Sequence, residues 1–240
     1  MSVLVVTGTS TGVGKTITCA AIAALAADRR VAVLKPAQTG CAEEEGDIPL
    51  IARLAPGITT RELRRFPDPL APDVAARRSG IGPVGAPEVA AAARELDEDH
   101  DLVLVEGAGG LLVRFDDTGA TIADVAWALG APTLIVASPA LGTLNHTALT
   151  ALALEQRGVH CVGVVIGAWP ADPGLAERCN LEDLPREAGA PLLGVLPDGL
   201  GQLRGEAFLA GARSGLSPWF GGEFDADTFA ARACADTDNP

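Results

Sequence analysis

VLVVTGTSTGVGKT, Val3 to Thr16, is an apolar, β-branched run that breaks into a glycine-bearing turn and ends on Gly14-Lys15-Thr16. The run predicts a strand, the turn a loop and the GKT a helix start. Backbone N–H groups of such a loop, with the positive end of the following helix, form a concave anion site. Lys15 can reach the outer phosphates of a nucleoside triphosphate, and the Thr16 hydroxyl suits Mg²⁺. The spacing is a variant one, because strict G-x-x-x-x-G-K-T wants glycine at position 9, where Thr9 stands, and Gly8 comes one residue early.

Outward from this stretch, Ile17 to Ala27 reads as a helix and Val31 to Leu34 as a strand that Lys35-Pro36 ends. KPAQTG, Lys35 to Gly40, then lies at a strand's carboxyl end, where open parallel sheets bind ligands. Glu43-Glu44-Glu45-Gly46-Asp47 reads as a solvated loop, with Asp47 a candidate metal ligand, before a short helix over Ile48 to Leu54. Pro56 to Gly85, rich in proline and glycine and without a sustained period, reads as a long loop with short helical turns, of the kind that serves as a lid or binding loop. Pro87 to Glu98 is a helix and Asp101 to Val105 a strand. That strand runs into Glu106-Gly107-Ala108-Gly109-Gly110, where a carboxylate that can hold Mg²⁺ is followed by glycines that let backbone approach a phosphate.

Thr121–Leu129 (helix), Pro132–Ala137 (strand), Gly142–Gln156 (helix), Cys161–Ile166 (strand) and Leu192–Leu196 (strand) continue the alternation. Such a chain builds an α/β fold, a doubly wound, mostly parallel sheet of the P-loop nucleoside triphosphate hydrolase type, expected as a single domain over residues 1–240. The tail after Gly199 carries less signal; Asp225 to Cys234 reads as a last helix and Thr237 to Pro240 as a fraying end.

The formal charge of −13 argues against a nucleic-acid partner, which needs clustered Lys and Arg. Five cysteines without C-x-x-C spacing fit reduced thiols, and no basic leader or membrane-length apolar run is present, so the expected location is cytoplasmic, with small-molecule partners. Of eighteen basic residues only Lys15 and Lys35 are lysine. Lys is a compact point charge and Arg a planar fork, so a chain this biased keeps Lys where a point charge is needed. His146 reads as structural, having no nearby carboxylate or cysteine spacing. The start of its helix, Gly142 to Asn145, offers N–H groups that could receive a carboxylate or be ordinarily capped.

GTSTGVGKT, KPAQTG, VEGAGG and LGTLNHTALT, in this order and spacing, make the chain resemble the dethiobiotin synthetases over roughly residues 1 to 198. PLAPDVAA, Pro69 to Ala76, is similar to that family's substrate-flanking loop. The resemblance implies an ATP- and Mg²⁺-dependent cyclo-ligase that forms the ureido ring of dethiobiotin from 7,8-diaminopelargonic acid and CO₂. It implies Thr16, Asp47 and Glu106 at Mg²⁺, Lys15 at the β/γ-phosphates and Lys35 at the carbamate and transferred phosphoryl group. Gly12, Val13, Gly14, Ile17, Gly107, Ala108 and Gly109 would surround the nucleotide phosphates, and Gly167, Ala168, Pro197, Asp198 and Gly199 its base. Thr11, Thr39 and Pro72 would meet the substrate, and Gly142, Thr143, Leu144 and Asn145 would bind its far carboxylate from the partner subunit of a homodimer.

Many members of the family end the strand beside the base in an Asn that reads adenine, whereas VGVVIGAWP here offers Gly167 and Ala168. Weak base selectivity is expected, unless Trp169 stacks on the base. The alternative readings are a related P-loop amidoligase or partition-type ATPase, or a nucleotide-binding sensor without catalysis. A sensor has no need of both Lys35 and Thr39, and an amidoligase would be favoured by a glutaminase domain that is not evident.

Overall fold

Val3, Val5, Leu4 and Val6 are all buried, so β1 (Val3–Gly8) must be covered on both faces, as a central parallel strand is. The computed structural model describes residues 3–41 and 46–235. After β1 come α1 (Lys15–Leu25), β2 (Val31–Gln38), α2 (Asp47–Leu54), β3 (Thr59–Arg65), α3 (Pro72–Ser79), α4 (Ala86–Asp99) and β4 (Leu102–Gly110). The second half runs α5 (Ile122–Leu129), β5 (Thr133–Ala137), α6 (Thr143–Gln156), β6 (Cys161–Trp169), α7 (Leu175–Ala188), β7 (Leu192–Pro197), α8 (Gly205–Gly215) and α9 (Ala226–Ala235). The strands form one sheet in the order β3-β2-β4-β1-β5-β6-β7, and every pairing is parallel.

Two apolar layers follow from the alternation of side chains along the strands. Val3, Val5, Val103, Val105 and Ile135 face α4, α5 and α7, while Leu4, Val6, Leu104, Leu134 and Val136 face α1, α2 and α8. Each fully buried Val or Leu contributes roughly 1.5–3 kcal/mol. No helix among the described residues is long and apolar enough to cross a membrane.

Several elements differ from the sequence reading. Pro56 to Gly85 is not a long loop: it holds β3 and α3. TTRELRR in β3 has no fully buried residue, because it is an edge strand, and its arginines pair with α4 through Arg61–Glu95 and Arg64–Glu88. Lys35-Pro36 does not end β2, which continues to Gln38, and β4 continues through Gly110, so KPAQ of the first signature segment and all of EGAGG lie within strands, with Thr39 and Gly40 just beyond β2. Similarly β6 extends to Trp169. In the tail α8, not expected from the sequence, packs Phe208 and Ala212 into the α1 layer, while α9 is the last helix expected over Asp225 to Cys234 and sets Phe229 edge-on to Trp169, with ring centroids 5.5 Å apart. Glu43 to Glu45 and Thr237 to Pro240, read as a solvated loop and a fraying end, lie outside the described residues.

The last strand to touch the phosphate loop is β6. A Cβ built on Gly167 would lie 2.0 Å from the Val13 carbonyl oxygen, and one on Gly14 would lie 2.5 Å from the Gly167 oxygen. The loop is therefore seated on bare backbone. Gly167→Ala should cost about 1–3 kcal/mol as an overpacking change. At roughly 2–4 °C per kcal/mol for a chain of this size, calorimetry should show the midpoint fall by several degrees. An unchanged midpoint would mean that the loop has slack against β6.

Candidate active site

The loop between β1 and α1 folds back over Gly8, where a Cβ would lie 2.8 Å from Val13 Cγ2 and 2.9 Å from the Ser10 oxygen. That close approach is why the first glycine stands at position 8 and Thr9 is tolerated. Gly12 and Gly14 take left-handed φ of 74° and 95°, open to glycine without strain. Lys15, the first residue of α1, curls its ammonium over the loop to donate to the Ser10 carbonyl at 3.0 Å. Burial lowers its pKa, and the Lys35 charge lowers it further.

Glu106 stands on β4, which lies in the sheet between β2, the strand of Lys35, and β1, the strand that leads into the phosphate loop and Lys15. Its Oε1 accepts from Lys35 Nζ at 2.8 Å and from the Thr16 hydroxyl at 2.9 Å. Lys35 also donates to the Gly107 carbonyl at 3.2 Å and pairs with Asp47 Oδ2 at 2.5 Å. Burial alone would depress the Lys35 pKa, but Glu106 and Asp47 overcome it and raise it. Burial raises the Glu106 carboxyl in spite of Lys35. Asp47, where burial also pushes upward, is lowered by the Lys35 charge and by hydrogen bonds from Lys35 and Thr16.

Glu106 Oε2 is buried with no hydrogen-bond partner. A buried carboxylate oxygen left open beside a hydroxyl and a second carboxylate is a hard-oxygen donor set. Among the described residues no group of three or more His, Cys, Asp or Glu side chains could cage a metal. The donors present fit Mg²⁺, which keeps several waters and shares its coordination with phosphates.

These groups open into a cleft of about 1020 Å³. It gathers Thr11, Gly12, Gly14, Lys15, Thr16 and Ile17 from the loop and α1, Lys35 and Thr39 from β2 and its end, Asp47, Pro72, and Glu106, Ala108 and Gly109. Val13 lies beneath the loop and Gly107 presents its carbonyl to Lys35. The remaining sequence candidates do not line this cleft. Gly142 to Asn145 open α6, where the Thr143 N–H already donates to the Ala140 carbonyl at 3.1 Å. Gly167 underlies the loop, and Pro197, which ends β7, and Asp198 and Gly199 beyond it are exposed. Trp169 spends its ring on Phe229. Sequence reasoning missed Gln38, Leu50, Leu70 and Val113 as lining residues. Gln38 stood inside KPAQTG and Leu70 inside PLAPDVAA, and both could have been found there; Leu50 and Val113 are single apolar residues on segments without a motif. Cys19 is buried in α1, where desolvation and Glu106 hold its thiol well above the ordinary value. Together with Cys41, Cys161 and Cys179 it is a free thiol.

A family model described as an AAA domain matches residues 2–202. A Streptomyces avermitilis protein named ATP-dependent dethiobiotin synthetase BioD is 61% identical over 96% of this chain and 98% of its own length. One of the same name from Saccharopolyspora erythraea is 63% identical over 93% of this chain and 99% of its own. Among solved structures, the septum site-determining protein MinD of Pyrococcus horikoshii, complexed with Mg-ADP, superposes with TM-score 0.53 over 99% of this chain and 95% of its own at 17% identity. The McdA–ATP complex of Cyanothece gives 0.55 over 98% and 96% at 16%. These two share the fold alone, whereas identity over nearly the full length, on a chain whose phosphate loop, two lysines and carboxylate pair meet in one cleft, settles the relationship: the chain belongs to the ATP-dependent dethiobiotin synthetase family.

Proposed function

We propose that this chain makes dethiobiotin, in biotin biosynthesis, from 7,8-diaminopelargonic acid, CO₂ and ATP with Mg²⁺. The observation that carries this reading is the convergence of the chain's only two lysines on one cleft, each buried and aimed at the groups that handle phosphate. One substrate amine, unprotonated, adds to CO₂ and loses a proton to leave a carbamate. A carbamate oxygen displaces ADP from the γ-phosphorus, giving a carbamic-phosphoric anhydride. The second amine attacks the carbonyl carbon, phosphate leaves, and loss of a proton completes the ureido ring. Lys15 holds the β/γ-phosphates and Lys35 the carbamate and the transferred phosphoryl group. Thr39 touches the reacting amine, with Thr11 and Pro72 beside the substrate. Mg²⁺, held by Thr16, Asp47 and Glu106, would neutralise charge on the phosphate oxygens. Phosphoryl transfer asks mainly for positioning and positive charge, so no Ser, Cys or His nucleophile is needed.

ADP release should depend on both diaminopelargonate and bicarbonate. In the same assay Lys35→Arg should lower turnover by about a hundredfold or more while nucleotide binding persists, because a fork cannot replace a point charge between Glu106, Asp47 and the phosphoryl group. ADP release without either co-substrate, or substantial turnover in Lys35→Arg, would count against the reading.

The active unit is a homodimer in which Gly142 to Asn145 serve the partner's cleft. Supporting this, they do not line the cleft of their own chain, and Leu141, at 89% exposure, stands with Leu149 and Leu152 as an uncovered apolar face around α6. Mixing a Lys15→Ala chain with an Asn145→Trp chain should restore part of the activity, since one site of each mixed dimer then lacks both lesions. Verified mixed dimers without activity would rule out shared sites.

Base selectivity should be weak. Gly167 is committed to the phosphate loop and Trp169 to Phe229, which leaves backbone near Pro197, Asp198 and Gly199 and the small Ala168 side chain to meet the base. A dedicated polar contact would separate bases by about 1–3 kcal/mol, roughly ten- to a hundredfold. Comparison of kcat/KM for ATP, CTP, GTP and UTP at saturating co-substrates tests this. A preference for ATP above about a hundredfold over every other nucleotide exceeds what one polar contact gives and would sink the idea.

A further inference from the structure

Gln38, the last residue of β2, is buried at 8% exposure and belongs to none of the roles above. Its backbone is fixed, since its carbonyl accepts the Phe66 N–H at 2.8 Å where β2 meets the end of β3. Its side chain makes two bonds in opposite senses: Oε1 accepts the Asp47 N–H at 2.8 Å, and Nε2 donates to the Thr39 carbonyl at 3.1 Å. A flipped amide would face donor with donor and acceptor with acceptor, so the partners dictate the orientation.

Asp47 is the first residue of α2, and its amide is one of the helix N-terminal donors that need a partner from outside. The residue before it, Gly46, has no side chain with which to cap the helix. Gly46 holds φ 82°, ψ −179°, a conformation that only glycine takes without strain. A Cβ there would also lie 3.1 Å from Gln38 Cδ and 3.2 Å from Oε1. The turn and the amide are thus built around each other, and the cap that α2 lacks locally arrives from the strand beneath.

We propose that Gln38 is a positioning residue for the reaction: one amide clamps Thr39 and Asp47 together and so holds the Asp47 carboxylate on Lys35. A metal ligand or charge partner at a helix start moves with that start, and a displacement of about 1 Å at such a site can cost about a hundredfold in rate. The clamp leaves the phosphate loop untouched, so it acts on turnover and not on the affinity for nucleotide without Mg²⁺. The proposal rests on the role assigned above to Asp47.

Gln38→Met removes both hydrogen bonds while keeping the length of the side chain. In it kcat should fall about tenfold or more, with nucleotide Kd in the absence of co-substrate and Mg²⁺ within about threefold of wild type. Hydrogen exchange at the Asp47 amide, followed by NMR, should quicken about tenfold or more. Gln38→Glu serves if the Met chain does not fold: its carboxylate still accepts the Asp47 N–H, so that amide stays protected although the bond to Thr39 is lost. Wild-type kcat in Gln38→Met, unchanged Asp47 exchange in it, or loss of Asp47 protection in Gln38→Glu each overturns the clamp. Asp47→Asn is measured alongside. If it turns over like wild type, the role given to Asp47 fails; if it is inactive while Gln38→Met is active, only the clamp fails.

Discussion

A single ammonium, Lys35 Nζ, holds the site together. It is buried, and an isolated charge there would lose its proton before it lost its hydration. It stays charged because Glu106 on one side and Asp47 on the other face it at hydrogen-bond distance. Those three residues come from β2, β4 and α2, so the ion cluster exists only once β2 and β4 are adjacent and α2 has docked. Removing Lys35 leaves the buried Glu106 carboxylate without its cation, which costs about 3–5 kcal/mol, so the cluster contributes to the order of the site as much as to its chemistry. Glu106 carries the tension: Lys35 and Thr16 share its Oε1, its Oε2 is left open, and burial raises its pKa. A carboxylate in that state is prepared for a further positive charge.

The phosphate loop was legible because its chemistry forces a particular residue order: an apolar strand, glycines where φ turns positive, then Lys and Thr at the helix start. The lysine bias pointed to Lys35, and the structure sets that residue in the same cleft as Lys15. What escaped the sequence had a different physical basis. β3 is stabilised by pairing to β2 and by ion pairs to α4, so its residues never needed the alternation that marks a strand. α7 carries Pro185 inside it, and α8 carries glycines whose lack of Cβ is what lets it pack: a Cβ on Gly215 would lie 2.8 Å from the Val195 oxygen. Residues that weaken helix propensity were there for tertiary reasons, and propensity alone reads them as loop. The strands that end in KPAQ and EGAGG were read as too short for a related reason. Proline and glycine suggest an end, yet β2 and β4 keep pairing through them because the neighbouring strands continue.

The base end of the nucleotide site is constrained from the opposite direction. The family resemblance implies that a polar residue could stand at the end of β6, and that this chain simply lacks it. The backbone says something narrower. A Cβ at position 167 would lie 2.0 Å from the Val13 carbonyl oxygen and 3.0 Å from the Gly14 Cα, so no side chain can occupy it without lifting the loop that binds phosphate. A residue that reads the base by hydrogen bond must therefore come from Ala168 or from beyond it, where side chains are only partly buried. A side chain at position 167 and a seated phosphate loop thus exclude one another. In this chain the glycine that seats the loop has precedence, and position 167 carries no side chain at all.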